Sequence, residues 1–482
     1  MERGKPGRSF PDVTEQELRS IFEKQLEAMK ADKIKDLNWT QREQQAEQYS
    51  REMGLALLGF GFTNDPRTDP EQEQSCAQCQ RTLRVKKGRQ QRPLVSSLGV
   101  LTYKRPYVVC DGCGYHGAPL DEALGIPKEG PSIGVVEKVC DASVVGRSFK
   151  KGGHILRVHS KIHYSDKQVR VVTEKEGRRL AQETDKEVEL YRQGRLDIKS
   201  EERPELLVIT MDGGRVQSRY LKGESRWRED KVGVVYDASP RPSATVCKKG
   251  DYEGAKAKTK TYVATMKSWE EAGWLARLEA ERRGYNNAKA RFFISDGAVS
   301  VRTVKNDHFP EAVFGLDWYH CVEHVNNVAK AAFGEGTQEA SDWYEKHKAM
   351  LWDGKRDALI ADIQELSRRA GAPRKNDLDT HPRVTLYRDA FSYFPNNHDA
   401  IDYPAFRAKG WPIGSGVVEG GVKQFGIRLK GSEMFWNIFD TEAERGDKTG
   451  AEEMLALCAL HYSEDDRWRR YWDRRARPHK RE

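Results

Sequence analysis

Two stretches decide the fold: LLVITMDGG at residues 206–214 and RFFISDGA at residues 291–298. Each is a short β-branched or aromatic run that breaks off in Asp-Gly, as a buried strand does on reaching the edge of its sheet. VGVVYDA (232–238) and AVFGLD (312–317) share that texture, and a helical segment, SWEEAGWLARLEAERRG (268–284), lies between the second run and the third. The alternation predicts an α/β layer structure. A carboxylate at the C-terminal lip of a buried strand, followed at once by Gly, points to where water and metal reach it, and that lip is where open α/β sheets bind ligands. One such Asp is commonly a turn former or a helix cap. Two built alike, Asp212 and Asp296, 84 residues apart, suggest paired metal ligands. Oxygen donors imply Mg²⁺ or Mn²⁺ rather than Zn²⁺.

A third ligand is expected from WPIGSGVVEGGVKQFG (411–426), where Glu419 is the candidate. Ser415 can cap a helix starting near Val417, with Glu419 in its first turn. Gly420 and Gly421 each cost about 1 kcal/mol inside a helix relative to Ala. That cost makes sense where the helix closely approaches a backbone or a substrate; the alternative is a flexible loop. Asp317 and His320, three residues apart at the end of the fourth run, suit a hydrogen-bonded pair that supports the site rather than metal ligation. His324 adds a second imidazole.

Upstream, residues 12–57 have helical spacing, with Thr14 and Glu17 placed for a capping box. A polar linker (63–75) leads to Cys76-Ala-Gln-Cys79 and, 30 residues later, Cys110-Asp-Gly-Cys113. Two Cys-x-x-Cys turns flanking a hairpin-like stretch supply four thiolates for one tetrahedral, structural Zn²⁺, as in a zinc ribbon. A redox pair needs only one such turn, and His116 is a spare ligand. Helical pattern resumes from Ser132 to about Arg195, with breaks expected at Gly146 and at Gly152-Gly153, and a new helix from Ser165. This segment carries Arg147, Lys150, Lys151, Arg157, Lys161, Lys167, Arg170, Lys175, Arg178 and Arg179. The order is compatible with a helix-turn-helix whose cations grip DNA phosphates, or with a helical bundle bearing a solvated basic face.

The chain has 482 residues and a net charge of +8. Residues 76–200 hold 24 Lys and Arg against 14 Asp and Glu, so the positive charge is concentrated there, as polyanion binding requires. No run of about 18 apolar residues is present, which excludes a membrane span, and Met1 to Pro11 lacks the apolar core of a secretory signal. Four further cysteines, Cys140, Cys247, Cys321 and Cys458, are scattered, which fits a reduced, cytoplasmic protein rather than a disulfide scaffold.

MDGG (211–214), FISDGA (293–298), LDWYHCVEHV (316–325), PIGSGVVEGGVKQFGIRLKG (412–431), GAEEMLALCALHYSEDDRW (450–468) and the Cys pairs followed by PLDEALGIP (119–127) together resemble the ISKra-type insertion-sequence transposases. The resemblance spans about residues 76–473. It implies a DDE transposase with an α/β, RNase H-like catalytic core interrupted by a helical insertion. The domains would be an N-terminal helical segment (1–62), a zinc ribbon (63–130) and a helical DNA-binding domain (131–200). The first segment of the core (201–333), the insertion (334–403) and the second segment of the core with a C-terminal helix (404–482) would follow. By that resemblance Asp212, Asp296 and Glu419 form the acidic triad holding two Mg²⁺ or Mn²⁺ ions, and Asp317 and His320 form a D-x-x-H element. Lys423, one turn after Glu419, would pair with phosphate. The partners implied are double-stranded DNA, as element ends and as target, and further copies of the chain on that DNA, in a prokaryotic, nucleoid-associated setting. The sequence departs from the family after Lys430-Gly431-Ser432: Glu433 and Phe435 replace a Gly and an Arg, and NIFDTEAERGDKT (437–449) lengthens the connection. Two rival readings are a domesticated DNA-binding protein that cuts nothing and an RNase H-like nuclease that cuts without joining.

Overall fold

The computed structural model describes residues 13–76, 78–219, 226–241, 252, 254–431, 434–439, 446 and 450–478. Met1 to Pro11, Cys247, Glu433 and most of the 437–449 stretch lie outside the described residues. The chain divides into two compact units, Met1–Thr173 with Trp468–Glu482, and Glu174–Arg467. Among the described residues no helix is long and apolar enough to cross a membrane.

The first unit opens with helices α1 (Glu15–Ala28) and α2 (Trp39–Thr63). Both begin with capping boxes, Thr14 with Glu17 and Asn38 with Gln41, which satisfy otherwise orphaned N–H groups at both ends of the exchange. The apolar spacing that marks α1 does not bury its side chains: Phe22 and Leu26 are exposed. Next come β1 (Arg84–Ser96) and β2 (Gly99–Val109), an antiparallel hairpin turning at Ser97-Leu98, with β3 (His116–Gly117) added beside β2. Leu94, Tyr103 and Leu120 pack beneath it with Phe62 and Ile126.

A buried carboxylate ties this hairpin to the segment that follows. Asp121, in the short helix Pro119–Ala123, accepts bonds from Arg92 and Arg105, each at 2.6 Å, and from the Tyr103 hydroxyl. Arg92 also donates to the Pro127 carbonyl. Nothing in the residue pattern of PLDEALGIP announces that role, because the partners come from strands over 15 positions away.

Helices α3 (Ile133–Val145) and α4 (Phe149–Ser160) pack with the start of α5 (Asp166–Arg192) around Val135, Val139, Ala142, Leu156, Ile162 and Val169. Gly146 ends α3 as expected. Gly152 and Gly153, however, do not break the helix; they lie inside α4. A side chain at Gly152 would come within 2.9 Å of the Ala142 carbonyl, so the glycine serves close packing of α4 on α3 rather than a turn. Ser165 caps α5, its Oγ accepting from the Gln168 N–H at 3.3 Å. The chain returns to this unit in α15 (Arg467–Ala476), counted last in order, whose Tyr471 and Trp472 are buried.

The second unit is built on a five-stranded sheet in the order β6-β5-β4-β7-β8: β4 (Leu206–Gln217), β5 (Trp227–Ser239), β6 (Lys256–Thr265), β7 (Ala290–Ser295) and β8 (Val313–Leu316). β4, β5 and β6 form an antiparallel meander, whereas β7 and β8 run parallel to β4. The fifth strand comes from KAKTKTYVAT, where lysines obscure the apolar texture. Helices α6 (Trp269–Arg282) and α7 (Val299–His308) cover one face, where Leu207, Ile209, Met211 and Phe293 meet Ala272, Ala276 and Ala280. These alanines are four apart, so a stripe of small residues lets α6 sit close to the sheet. After β8 come α8 (Trp318–Phe333), α9 (Gln338–Trp352), α10 (Arg356–Ala370), α11 (Pro382–Arg388) and α12 (Tyr403–Ala408), then α13 (Gly416–Leu429) and α14 (Ala451–Tyr462).

Removing the carboxylate of Asp121 takes the anionic partner from two largely buried guanidinium groups, which costs up to about 3–5 kcal/mol. Asp121→Ala should therefore unfold at markedly lower urea concentration than wild type. An unchanged midpoint would show that the two arginines find water instead.

Candidate active site

Strand pairing brings the first two acidic residues together. β4 and β7 pair in parallel from Leu206 with Ala290 up to Thr210 with Ile294, an offset of 84 residues. Asp212 and Asp296 share that offset, so both lie two positions beyond the last pair. Alternation along a strand sends even-numbered residues of β4 and β7 to the same face. That face is opposite the α6 core: Phe292 packs on Phe406 and Trp411. One expectation is corrected here. Asp212 does not end its strand; β4 continues through Gly213-Gly214 to Gln217, paired with β5. What ends at Thr210 is the pairing with β7, and Asp212 stands where that neighbour departs.

Asp296 follows the last residue of β7 and accepts from the Ala298 N–H at 2.9 Å. Gly297 has φ +86°, and a side chain there would strike Leu316 at 2.4 Å, so only Gly carries the chain away from Asp296. Asp212 accepts from the Gly213 N–H at 2.7 Å. Burial, with smaller contributions from Asp296 and Glu419, pushes the Asp212 carboxyl up to about 6 against the opposing Gly213 N–H and His320. Asp212 thus feels both other acidic residues and one imidazole.

Glu419 reaches this field on α13, which packs along β4 and β5. It lies in the first turn, as the sequence indicates, but the helix starts at Gly416 and Ser415 does not cap it with its side chain. The Ser415 hydroxyl is taken by Asp317, at 2.8 Å, and the Ser415 N–H donates to the same carboxylate oxygen. Gly421 lets α13 approach the sheet, since a side chain there would lie 3.0 Å from the Tyr262 ring. Gly420 meets no atom within 4 Å, so close packing against the protein does not explain it.

Asp317 is 0% exposed and fully engaged. Its other oxygen accepts from the His320 N–H at 2.9 Å, capping α8, and its own N–H donates to the Ser295 carbonyl at 2.7 Å. The Asp317–His320 contact is therefore through the main chain; the His320 ring is not the partner. Asp317 ties the ends of β7 and β8 to the turn that launches α13. Lys423 is exposed, with Nζ 3.9 Å from Glu419 Oε2.

The four cysteines form a second site, in the first unit. Their sulfurs all lie within 4.8 Å of one another, and among the described residues no other group of three or more His, Cys, Asp or Glu is so gathered. The knuckles are built alike: Gln80 N–H bonds to the Cys76 carbonyl and Gly114 N–H to the Cys110 carbonyl. The bond with Cys79 and the N–H groups of Cys113 and Gly112 bring the Cys110 thiol down to about 6, which favours the thiolate a metal binds. The group can hold a zinc ion. His116 stays outside it, exposed on β3. The three carboxylates are not gathered as tightly, yet their oxygen donors and the excess negative charge felt at Asp212 fit hard divalent cations. The described remaining cysteines, Cys140, Cys321 and Cys458, are buried and form no disulfide.

The cationic residues fall in both units. Arg147, Lys150, Lys151, Arg157, Lys161, Lys167 and Arg170 belong to the first, and Lys175 and Arg178 to the second. All are exposed except Arg170 and Arg178, which are partly buried. Lys161 lies 3.5 Å from Glu47, and Arg178 donates to the Gly446 carbonyl, a use that residue spacing does not reveal.

Against known proteins, no family model and no curated relative matches. A solved structure, the Drosophila P element transposase strand transfer complex, aligns over 72% of this chain and 96% of its own length, with 8% identity and a TM-score of 0.31. A likeness this loose assigns no residue a role.

Two outcomes check this geometry. A carboxyl with a raised pKa favours the folded state while protonated and loses that contribution as pH rises through about 6. Asp212→Asn should thus raise Tm at pH 7 in metal-free buffer and leave it nearly unchanged at pH 4; an equal effect at both would reject the charge crowding. Cys110→Ser should purify without stoichiometric zinc and with a molten first unit. Full metal content in that variant would contradict the four-cysteine site.

Proposed function

We propose that this chain is a DDE transposase of an insertion sequence, with an RNase H-like catalytic core, that cuts DNA at element ends and joins it to a target. The carrying observation is the shared field of Asp212, Asp296 and Glu419, three carboxylates from separate elements on one face of the sheet. The strand order, with a meander followed by two strands parallel to its first, is the arrangement such a core needs. Mg²⁺ or Mn²⁺ bound there supplies charge stabilisation at the phosphodiester and an activated oxygen nucleophile for in-line displacement.

The protein's own part is to hold ligands and strand in register. Asp212 and Asp296 are fixed by the sheet. Glu419 is fixed by α13, whose start Asp317 holds through Ser415. His320 offsets part of the negative charge at Asp212. Lys423, exposed beside Glu419, would pair with a phosphate there. No serine or tyrosine nucleophile is required, because water and a DNA 3′-hydroxyl are the attacking groups. The cysteine knuckles form a zinc ribbon, and the ribbon with helices α3 to α5, through the Lys and Arg they carry, binds the element ends as double-stranded DNA. Two ends cut together call for at least two copies of the chain on DNA. A protein that binds DNA without cutting has no use for converging carboxylates, which disfavours the non-catalytic alternative.

The test is Glu419→Gln, assayed on a plasmid carrying the sequences that flank the gene. Binding should persist while Mg²⁺-dependent strand cleavage falls by at least about a hundredfold, more than the loss expected for an outer-shell partner. Cleavage at the wild-type rate would remove Glu419 from the site.

A further inference from the structure

α11 passes directly into a π-helical turn, Asp389–Tyr393. Such turns are rare and are frequent at functional sites. Here the turn buries a carboxylate, Asp389, at 0% exposure. One oxygen of Asp389 accepts from both Nδ1 of His324, at 3.0 Å, and Nε of Arg388, at 3.2 Å. The His324 ring also lies flat on Tyr393, with centroids 3.5 Å apart and planes 11° from parallel. A carboxylate at Nδ1 and an aromatic face thus fix the imidazole.

The atoms left over point to a ligand. The side chains of Arg388 and His324 are 48% and 25% exposed, so both reach solvent. Neither makes a further hydrogen bond among the described residues. Asp389 Oδ2 and the Tyr393 hydroxyl are buried polar atoms without a hydrogen-bond partner. Asp389 engages the guanidinium through Nε, which leaves the terminal N–H groups of Arg388 uncommitted among the described residues. A planar guanidinium fork anchored through Nε presents its terminal N–H groups to a second oxyanion.

The cluster adjoins the carboxylate site. Asn397 donates to the Tyr393 carbonyl at 2.8 Å, and its side chain lies 3.6 Å from the position a Cβ on Gly297 would take, next to Asp296. Burial pushes the Tyr393 phenol far up, and the carboxylates of Asp389, Asp296 and Asp317 add to the effect. The phenol therefore stays neutral, a buried donor.

We propose that Arg388 and His324, held on Asp389 by the π-turn, form a binding site for a backbone phosphate of the DNA strand that enters the carboxylate pocket. The inference rests on the transposase reading for its ligand, but its test needs binding alone. With the full chain and a random-sequence DNA duplex, the salt dependence of affinity counts phosphate contacts, each changing the log–log slope by about 0.9. Arg388→Gln should reduce the slope by about that amount while staying folded at the assay temperature, with some loss of Tm because buried Asp389 loses a partner, and Arg388→Lys should restore most of the slope. His324→Gln should weaken binding in the same direction. A wild-type slope and affinity for Arg388→Gln would overturn the site, whatever cleavage assays show. A reduced slope would support it even if the Glu419 variant still cut DNA.

Discussion

The parallel pairing of β4 with β7 is the constraint on which the rest depends. Five residue pairs fix an offset of 84, and that offset sets Asp212 beside Asp296. The buried positions beneath, Leu207, Ile209, Met211 and Phe293, leave the strands no freedom to slip, since a one-residue shift would send every side chain to the wrong face. The sheet therefore holds two like charges together, with Asp212 raised to about 6 by burial and by its acidic neighbours. Local electrostatics disfavour the arrangement, and a fold keeps such a conflict where function needs it.

The third carboxylate is brought in by a different device. Asp317 spends its carboxylate on the N–H of His320 and on the N–H and hydroxyl of Ser415. One buried side chain thereby fixes the start of α8 and the start of α13 together. Glu419 follows four residues after Ser415, so its position is set by a clamp nearly one hundred residues upstream in sequence. Gly421 then lets the helix lie close to Tyr262. The helical segment after β8 also bears on this corner, through Asn397 beside Gly297.

Much of this was legible in the residues, for identifiable reasons. Apolar runs that break at Asp-Gly mark strand edges because few other contexts combine that burial with that turn. Paired Cys-x-x-Cys turns are legible because tetrahedral thiolate binding demands their spacing. Other features were hidden where long-range partners override local preference. Ser415 has the chemistry of a cap, yet Asp317 takes its hydroxyl. Gly152-Gly153 looks like a break, yet helix packing needs small residues there. Asp121 is one acid among many until the hairpin brings Arg92 and Arg105 to it. Arg178 counts as a surface cation until the Gly446 carbonyl is seen to accept from it.

The most direct measurement is diffraction from crystals soaked in Mn²⁺, with data collected at the manganese absorption edge. Anomalous peaks bound jointly by carboxylate oxygens of Asp212, Asp296 and Glu419 are expected, with the three groups drawn closer than they stand here. Manganese bound elsewhere, with these carboxylates unliganded at saturating ion, would contradict the shared site.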